Sequence, residues 1–292
     1  MSQANSRIND DKKNKRDFSN FGRCYQLVAI DIDGTLLDDR SKISQKTHDA
    51  LNALKDFGLT ITLATGRFYP DALCFAKFLG FSCPMILLHG ALIQEQSGEI
   101  LMKQELPFEV IPKLISIAKQ EKVPFQIFQE DRLIMEERTF WNDVYLKFSE
   151  VEPIIVPDSL EYLQGKKNSF AFIYLGTPEK MAVLKKIVEH RMGNSVAIAC
   201  AHPNLLEIVA SNVTKGNALT KLASIKNIPL SHTIGIGDSF NDIDMIRIAG
   251  LGVAMGNAPQ EVKDAADFVT KDNNHDGIAY FISKFLTYHQ TK

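Results

Sequence analysis

The sequence lacks any long apolar run. Its apolar stretches, such as Met85–Leu88 and Gly250–Met255, fall far short of the roughly 18 residues that a membrane-spanning helix needs. It also has little net charge, because 33 Lys and Arg residues stand against 35 Asp and Glu residues, which leaves −2 at pH 7. The first absence excludes a transporter or channel, and the second excludes the basic composition typical of nucleic-acid-binding domains. We therefore expect neither a membrane nor a nucleic acid as a partner.

Cysteine is also scarce and shows no spacing of known chemistry. None of the four cysteines forms a CxxC pair, which argues against a zinc site or a thioredoxin-like redox site. We expect reduced, mostly buried thiols in a cytoplasmic protein. The four residues are Cys24, Cys74, Cys83 and Cys200.

The first 22 residues differ in composition from the rest of the chain. They are rich in Ser, Asn, Asp, Lys and Arg and contain almost no apolar side chains. They have no apolar core of a secretory signal, and Asp10, Asp11 and Asp17 do not fit an acid-poor transit peptide. We predict a disordered tail over residues 1–22.

Beyond this tail, short apolar strands alternate with amphipathic helices. Tyr25–Ile30 and Leu59–Ala64 have the pattern of buried parallel strands, and Ser44–Phe57 between them has a helical pattern. The same alternation returns between residues 216 and 269. Alternation of this kind predicts right-handed βαβ units. The predicted fold class is therefore α/β, with a Rossmann-like parallel-sheet core.

The middle of the chain is too long to be a connection within such a core. About 150 residues separate Arg67 from Lys215, whereas a βαβ crossover needs only a few dozen. This stretch has helix and strand patterns of its own, including an amphipathic helix over Pro107–Lys119. We predict an inserted α+β cap domain over residues 91–199, with the core formed by residues 23–90 and 200–292.

Two carboxylates follow the first predicted strand. Asp31 and Asp33 are two residues apart, and ligands of open α/β sheets lie beyond the carboxyl ends of the strands. Paired carboxylates repel each other and repel phosphate, but a bound Mg²⁺ reverses that effect. Further oxygen ligands follow a late strand, at Asp238, Asn241 and Asp242. The pattern favours a magnesium site at this edge of the sheet.

Two other strand–helix junctions carry groups suited to a phosphate. Thr65, Gly66 and Arg67 end the second predicted strand and offer a hydroxyl and backbone N–H groups at a helix start. Lys215 precedes another helix, where a cation is electrostatically unfavourable. An unfavourable position of this kind indicates that the lysine binds an anion.

The order and spacing of these four junctions resemble the haloacid dehalogenase-like hydrolase superfamily. The resemblance covers almost all of the chain after residue 22, and the position of the insert resembles the Cof-type branch with a type IIB cap. The chain departs from the branch at His89-Gly90, where the branch usually has Asn-Gly. The motifs that carry the resemblance are Asp31–Thr35, Thr65–Arg67, Leu206–Ile208, Lys215–Leu219, Gly237–Asp242 and Val253–Ala258.

The resemblance implies a Mg²⁺-dependent phosphatase that works through an aspartyl-phosphate. Asp31 would be the nucleophile, and Asp33 would protonate the leaving oxygen and then activate water. The implied metal ligands are Asp31, the backbone carbonyl of Asp33, and Asp238, with Asp242 close by. The phosphoryl group would be held by Thr65, Gly66, Lys215 and Asn241.

The resemblance also implies a small phosphorylated metabolite, a sugar phosphate, as substrate. Its leaving group would be recognised partly by Arg67 and His89, and a closing cap would exclude water. Weaker candidates for contacts are Phe125, Phe128, Arg132, Trp141, Tyr145, His202, Asn204, His275 and Asp276.

Several alternatives remain open. Flavin mononucleotide, pyridoxal phosphate or a phosphotransfer reaction would use the same chemistry. A non-catalytic phosphate-sensing module is possible, although such a module does not need Asp33. A nucleotide-dependent oxidoreductase is disfavoured because no GxGxxG follows the first strand. The sequence does not indicate an oligomeric state.

Overall fold

The structure is a computed structural model that describes residues 24–129, 132–147, 149, 151–164, 169–199 and 202–290. The predicted tail, residues 1–22, lies outside the described residues, as does Cys200. Within the described residues, no helix has both the length and the hydropathy needed to cross a membrane.

The strands follow closely the short apolar runs of the sequence. In chain order they are β1 (Leu27–Ile30), β2 (Thr60–Ala64), β3 (Met85–Leu87), β4 (Leu92–Gln94), β5 (Ile100–Lys103), β6 (Phe125–Gln129), β7 (Arg132–Met135), β8 (Pro153–Ile155), β9 (Ser169–Leu175), β10 (Val196–Ala199), β11 (Leu205–Ala210), β12 (Thr233–Gly237), β13 (Leu251–Ala254) and β14 (Phe268–Val269).

The helices begin at residues that suit a helix start. Ser44 caps the first helix by accepting a hydrogen bond from the Thr47 amide at 3.1 Å. In chain order the helices are α1 (Gln45–Asp56), α2 (Tyr69–Phe78), α3 (Ile111–Glu121), α4 (Phe140–Leu146), α5 (Ser159–Leu163), α6 (Pro178–Met192), α7 (Lys215–Ile225), α8 (Ile243–Ile248), α9 (Gln260–Ala265) and α10 (Gly277–Gln290).

The chain divides into two compact units. The first ends at Leu63 and resumes at Leu219, and the second runs from Ala64 to Ala218. These units do not test the predicted boundaries of the insert, residues 91 and 199, which stay a prediction.

The first unit contains a parallel run of strands in the order β14-β13-β12-β1-β2. All four residues of β1 are fully buried, as expected for a central parallel strand that is covered on both faces. Because the strands are parallel, their carboxyl ends lie at one edge. The α/β class with a parallel-sheet core is confirmed.

The second unit contains two antiparallel arrangements. Strands β3, β4 and β5 form a meander, and a six-stranded sheet has the order β10-β11-β9-β6-β7-β8. Among the described residues of that sheet, only β7 and β8 pair in parallel. One face of the six-stranded sheet packs against α3 and α6 and forms an apolar core that includes Phe125, Phe172 and Tyr174.

Several features differ from the sequence-based expectations. The helix expected to begin at Pro107 begins at Ile111, because Phe108–Val110 forms a separate tight turn. Helix α10 was not predicted, although its apolar residues recur at helical spacing. The expectation of mostly buried thiols is wrong for the described cysteines: Cys83 is buried, but Cys24 and Cys74 are exposed.

Candidate active site

The turn after β1 carries the first aspartates. Asp31 is only 5% exposed, and its amide donates to the Ile236 carbonyl of β12 at 3.0 Å. The Leu36 amide donates back to the Asp31 carbonyl at 3.2 Å, which closes the turn. Asp33 lies within this turn with an exposed side chain. The turn therefore withdraws one carboxylate from water and leaves the other in contact with it.

Asp238 follows β12 and is held at both carboxylate oxygens. The Thr35 hydroxyl donates to Asp238 Oδ1 at 2.7 Å. The Asn257 amide donates to Asp238 Oδ2 at 3.3 Å and also to the Gly34 carbonyl at 2.8 Å. An ionised carboxylate is a pure acceptor, so these two donors fix its orientation.

Asp242 shapes the turn that follows Asp238. Its side chain is fully buried, and Asp242 Oδ2 accepts hydrogen bonds from the amides of Asp238 at 3.1 Å and Ser239 at 3.0 Å. The Ser239 hydroxyl donates to the side-chain oxygen of Asn241, which lies in the same turn. Asp242 therefore anchors the segment that presents Asp238.

These carboxylates converge at one edge of the first unit. One oxygen each of Asp31, Asp238 and Asp242 lies within 4.8 Å of the other two. Carboxylates this close repel each other unless a cation or protons intervene. Carboxylate oxygens are the ligands that hard divalent cations prefer, so this set fits Mg²⁺. Three predicted site residues thus lie together, and their binding of a metal stays a prediction.

Thr65, Gly66 and Arg67 form a turn in the second unit. The buried Thr65 hydroxyl accepts a hydrogen bond from the Arg67 amide at 3.0 Å, which stabilises the turn. The Arg67 guanidinium carbon lies 5.0 Å from the centre of the Phe75 ring on α2, a distance typical of a cation–π contact. A substrate contact by Arg67 stays a prediction.

His89 packs directly against this turn. Its amide donates to the Thr65 carbonyl at 3.0 Å, and the Leu88 amide donates to the Arg67 carbonyl at 3.1 Å. A Cβ on Gly66 would lie 2.4 Å from the His89 ring, so only glycine allows this approach. His89 Nε2 lies 2.9 Å from a carboxylate oxygen of Glu207 on β11, and both side chains are buried.

Lys215 is the first residue of α7 and is only 1% exposed. Lysine is rarely buried to this extent unless its ammonium group has a partner. The preceding residue, Thr214, lies against Gly90, where a Cβ would come within 2.3 Å of the Thr214 carbonyl oxygen. The turn at residues 88–90 therefore contacts both the Thr65–Arg67 turn and the start of α7.

The weaker contact candidates in the six-stranded sheet region are mainly structural. Phe125 belongs to the apolar core, and the Phe128 ring is 5.0 Å from that of Phe68 and 6.2 Å from that of Tyr145. Exposed Arg132 hydrogen-bonds the Tyr162 hydroxyl at 3.3 Å. Trp141 is half-buried on α4.

The loop candidates also have structural partners. The Asn204 backbone N–H donates to His202 Nδ1 at 3.2 Å, and its side-chain amide donates to the Gly176 carbonyl at 2.8 Å. His275 pairs with Asp272 at 2.7 Å, and Asp276 accepts from the Ser44 hydroxyl at 2.6 Å. Each of these polar side chains thus has a partner within the chain, and a substrate contact by any of them stays a prediction.

Sequence reasoning assigned no role to Thr35, Asn257 or Glu207. Thr35 lies in the motif Asp31–Thr35 and Asn257 in the motif Val253–Ala258. Both follow the end of a strand, and this position could have identified them as site residues. Glu207 had a weaker signal, because one acidic residue within an apolar strand does not identify its partner. His89 is the partner, and only the folded chain brings these two residues together.

The sequence is similar to a family of hydrolases and to phosphatases within it. The model of the haloacid dehalogenase-like hydrolase family matches residues 28–282. The chain is 28% identical to phosphatase YwpJ of Bacillus subtilis over 286 residues, which cover 89% of this chain and 100% of that protein. It is 27% identical to the 5-amino-6-(5-phospho-D-ribitylamino)uracil phosphatase YwtE of Bacillus subtilis over 285 residues, 90% of this chain and 98% of that protein.

A solved structure is similar over most of the chain. The HAD subclass IIB sugar phosphatase BT4131 matches with a TM-score of 0.77 and 27% identity, over 89% of this chain and 98% of that chain. The enzyme class predicted from the sequence, a phosphoric monoester hydrolase, agrees with the names of these relatives. The chain belongs to the haloacid dehalogenase-like hydrolase family, in its Cof-type branch.

Proposed function

We propose that this protein is a Mg²⁺-dependent phosphatase that transfers the phosphoryl group of a small metabolite to Asp31 and then to water. The observation that carries the proposal is the convergence of Asp31, Asp238 and Asp242, with carboxylate oxygens within 4.8 Å of one another. Such a cluster is electrostatically costly without a cation, and a divalent cation would also neutralise the charge of a phosphoester substrate.

Asp31 and Asp33 divide the chemistry between them. A carboxylate oxygen of Asp31 attacks phosphorus, and the bond to the leaving oxygen breaks as Asp33 gives that oxygen its proton. Asp33, now ionised, takes a proton from water, whose oxygen attacks phosphorus and releases inorganic phosphate and free Asp31. The exposed side chain of Asp33 suits a group that exchanges protons with solvent and substrate.

Cationic and hydrogen-bonding groups would balance the negative charge of the phosphoryl oxygens. A magnesium ion held by Asp31, the Asp33 carbonyl and Asp238, with Asp242 adjacent, would supply Lewis-acid neutralisation of phosphoryl charge. Thr65, the Gly66 amide, Asn241 and Lys215 would hold the phosphoryl oxygens. The burial of Lys215 supports its role, since a cation shielded from bulk water acts more strongly on a phosphoryl group than an exposed one.

The substrate class is inferred from relatives. One is named a sugar phosphatase, and another acts on a uracil that carries a phosphorylated ribityl chain. We infer a phosphorylated sugar or polyol as the substrate, in a cytoplasmic setting. Flavin mononucleotide and pyridoxal phosphate are the alternative substrates. The alternative function is that of a phosphate-sensing module without turnover.

A substrate panel tests the proposal. Purified protein is incubated with sugar phosphates, flavin mononucleotide and pyridoxal phosphate, with Mg²⁺ or with chelator, and released phosphate is measured. We expect release only with Mg²⁺ and fastest for a sugar or polyol phosphate. No release from any substrate with Mg²⁺ would contradict the enzymatic proposal and favour phosphate sensing.

Asp31→Asn is the decisive variant in that assay. It keeps the side-chain shape but removes the nucleophile, so we expect phosphate release to fall by more than about 1,000-fold. Asp56→Asn, on the exposed end of α1, is the matched control and should leave the rate unchanged. Release by Asp31→Asn at the parent rate would disprove the assignment of the nucleophile.

A further inference from the structure

We propose that His89 and Glu207 form a positioning pair that fixes the Thr65–Arg67 turn for phosphoryl binding. The inference rests on the proposed function, in which this turn holds the phosphoryl oxygens. It concerns the position where the chain departs from its branch, because His89 stands where the branch usually has asparagine.

The backbone at this position explains why only a few residues are suitable. Leu88, His89 and Gly90 all have positive φ, at 48°, 59° and 110°. Asparagine, aspartate and histidine are the non-glycine residues enriched in this left-handed region. Histidine therefore satisfies the same backbone requirement as asparagine while carrying a longer, planar side chain.

The longer side chain of His89 contacts both the Thr65–Arg67 turn and strand β11. One side of the ring lies against the Gly66 backbone, at a distance that no Cβ would tolerate. Its Nε2 reaches Glu207 Oε2 at 2.9 Å. An ionised Glu207 can only accept, and this assigns the hydrogen of the pair to Nε2.

Glu207 is held in place by the six-stranded sheet. It lies opposite Ile173 on β9, and Ile173 lies opposite Gln126 on β6, so the three side chains share one face. The other face packs against helices and includes Tyr174. Glu207 is thus an acidic group on a rigid strand, buried and aimed at the histidine.

The pair consequently transfers the rigidity of the sheet to the turn. The Thr65 and Arg67 carbonyls accept hydrogen bonds from the amides of His89 and Leu88. A ring fixed by Glu207 prevents the Gly66 peptide from shifting toward it. The backbone N–H groups of the turn then keep the direction required for a phosphoryl oxygen, where misplacement by about 1 Å costs up to about 100-fold in rate.

Two variants and their combination separate positioning from stability. His89→Asn keeps the left-handed backbone preference but is too short to reach Glu207, which leaves a buried carboxylate without this donor. Glu207→Gln removes that charge at nearly constant volume. In the double variant the buried charge is gone, so we expect the midpoint of thermal unfolding to recover toward that of the parent.

Activity should not recover with stability. We expect His89→Asn and the double variant both to lose roughly 10- to 100-fold in kcat/KM for the best panel substrate. Binding of inorganic phosphate in the presence of Mg²⁺, measured by calorimetry, should weaken in parallel. Tyr174→Phe is the matched control, because it removes a buried hydrogen bond to the Leu114 carbonyl on the opposite face of the same sheet. It should lower the unfolding midpoint and leave kcat/KM unchanged.

The possible failures are distinguishable. If the parent is active and the double variant is as active as the parent, the pair has only a structural role and the inference is wrong. If the Tyr174→Phe control loses as much activity as His89→Asn, general destabilisation explains the loss and the inference is again wrong. If the parent neither releases nor binds phosphate, the proposed function itself fails, and this inference fails with it.

Discussion

Asp238 shows how neighbouring residues determine what one carboxylate can do. Its two oxygens receive hydrogen bonds from Thr35 and Asn257, which lie on segments that follow two other strands. Gly34 makes this arrangement possible, because it has φ of 79° and its Cα lies directly against the Asp238 carboxylate. The orientation of Asp238 therefore depends on a residue that has no side chain.

Gly34→Ala should damage metal binding as well as stability. The new Cβ would lie 2.5 Å from Asp238 Oδ2 and must displace it. We expect a loss of about 1–3 kcal/mol in the free energy of unfolding, from strain and displacement. At Mg²⁺ concentrations near 100 times the dissociation constant, the parent should gain about 2.7 kcal/mol from the ion. The variant should gain much less when both are unfolded with and without Mg²⁺.

Gly58→Ala is the control for this prediction. Gly58 also has a positive φ, at 104°, but open space surrounds its Cα. Its replacement should cost about 1–2 kcal/mol through backbone strain alone and keep the full gain from Mg²⁺. Equal gains for the parent and both variants would show that Gly34 has no part in metal binding.

The individual residues of the site differ in how well the sequence indicates them. Asp31, Asp238 and Asp242 are predictable, because each follows a strand whose end is marked by a polar turn. Asn257 and Glu207 are not, because their roles depend on contacts between residues that are distant in the chain. His89 is an intermediate case: its turn position was visible, but its bond to Glu207 was not.

The starts of two helices are joined by Asp276. Its carboxylate accepts hydrogen bonds from the Ser44 hydroxyl, at the cap of α1, and from the Lys46 ammonium at 3.1 Å. Asp276 directly precedes α10, so one side chain connects both helix ends. The hydrogen bond from Ser44, followed by that from Lys46 and the nearby positive charges, lowers the pKa of Asp276 below its usual value of 3.8.

This contact predicts a small acid-sensitive contribution to stability. Since the folded-state pKa is lowered, the contribution is present above pH 3.8 and is lost as the pH falls through the folded-state value. The side chain is 28% exposed, so solvent screening keeps the effect below about 1 kcal/mol. Asp276→Asn keeps the left-handed backbone and an acceptor oxygen, and its stability should decline less between pH 5 and pH 2.

Urea unfolding at several pH values measures this difference. The curves of parent and variant should separate at neutral pH and approach each other in acid. Parallel curves over the whole range would contradict a charge-dependent link between the two helix starts.

Elements were predictable where periodicity and end signals agreed. Ser44 and Gly58 mark the two ends of α1, and buried strands such as β1 are short, continuous apolar runs. Strands β4 and β5 have only three and four residues, and β5 is partly exposed, so neither has a clear strand pattern. The apolar residues of helix α10, Ile278, Phe281, Ile282 and Phe285, recur at helical spacing. Its start was not recognised because a polar turn directly precedes it.

The protein as a whole combines a parallel sheet that presents carboxylates with a second unit that presents a phosphate-suited turn and a buried lysine. The α/β class followed from the sequence because strand–helix alternation is a local signal. The cooperation of the two sets of residues in catalysis follows from the family resemblance and stays a proposal. It requires Asp31 to carry the phosphoryl group covalently.

Trapping that phosphoryl group tests the requirement most directly. Asp33→Asn is mixed with p-nitrophenyl phosphate and Mg²⁺, quenched in acid, and digested for peptide mass analysis. The leaving group needs no proton, so Asp31 can still attack, but water is no longer activated. We predict a burst of one nitrophenolate per active site and one added phosphoryl group on the peptide containing Asp31. A phosphoryl group on another residue, or steady turnover with no adduct, would contradict covalent catalysis by Asp31.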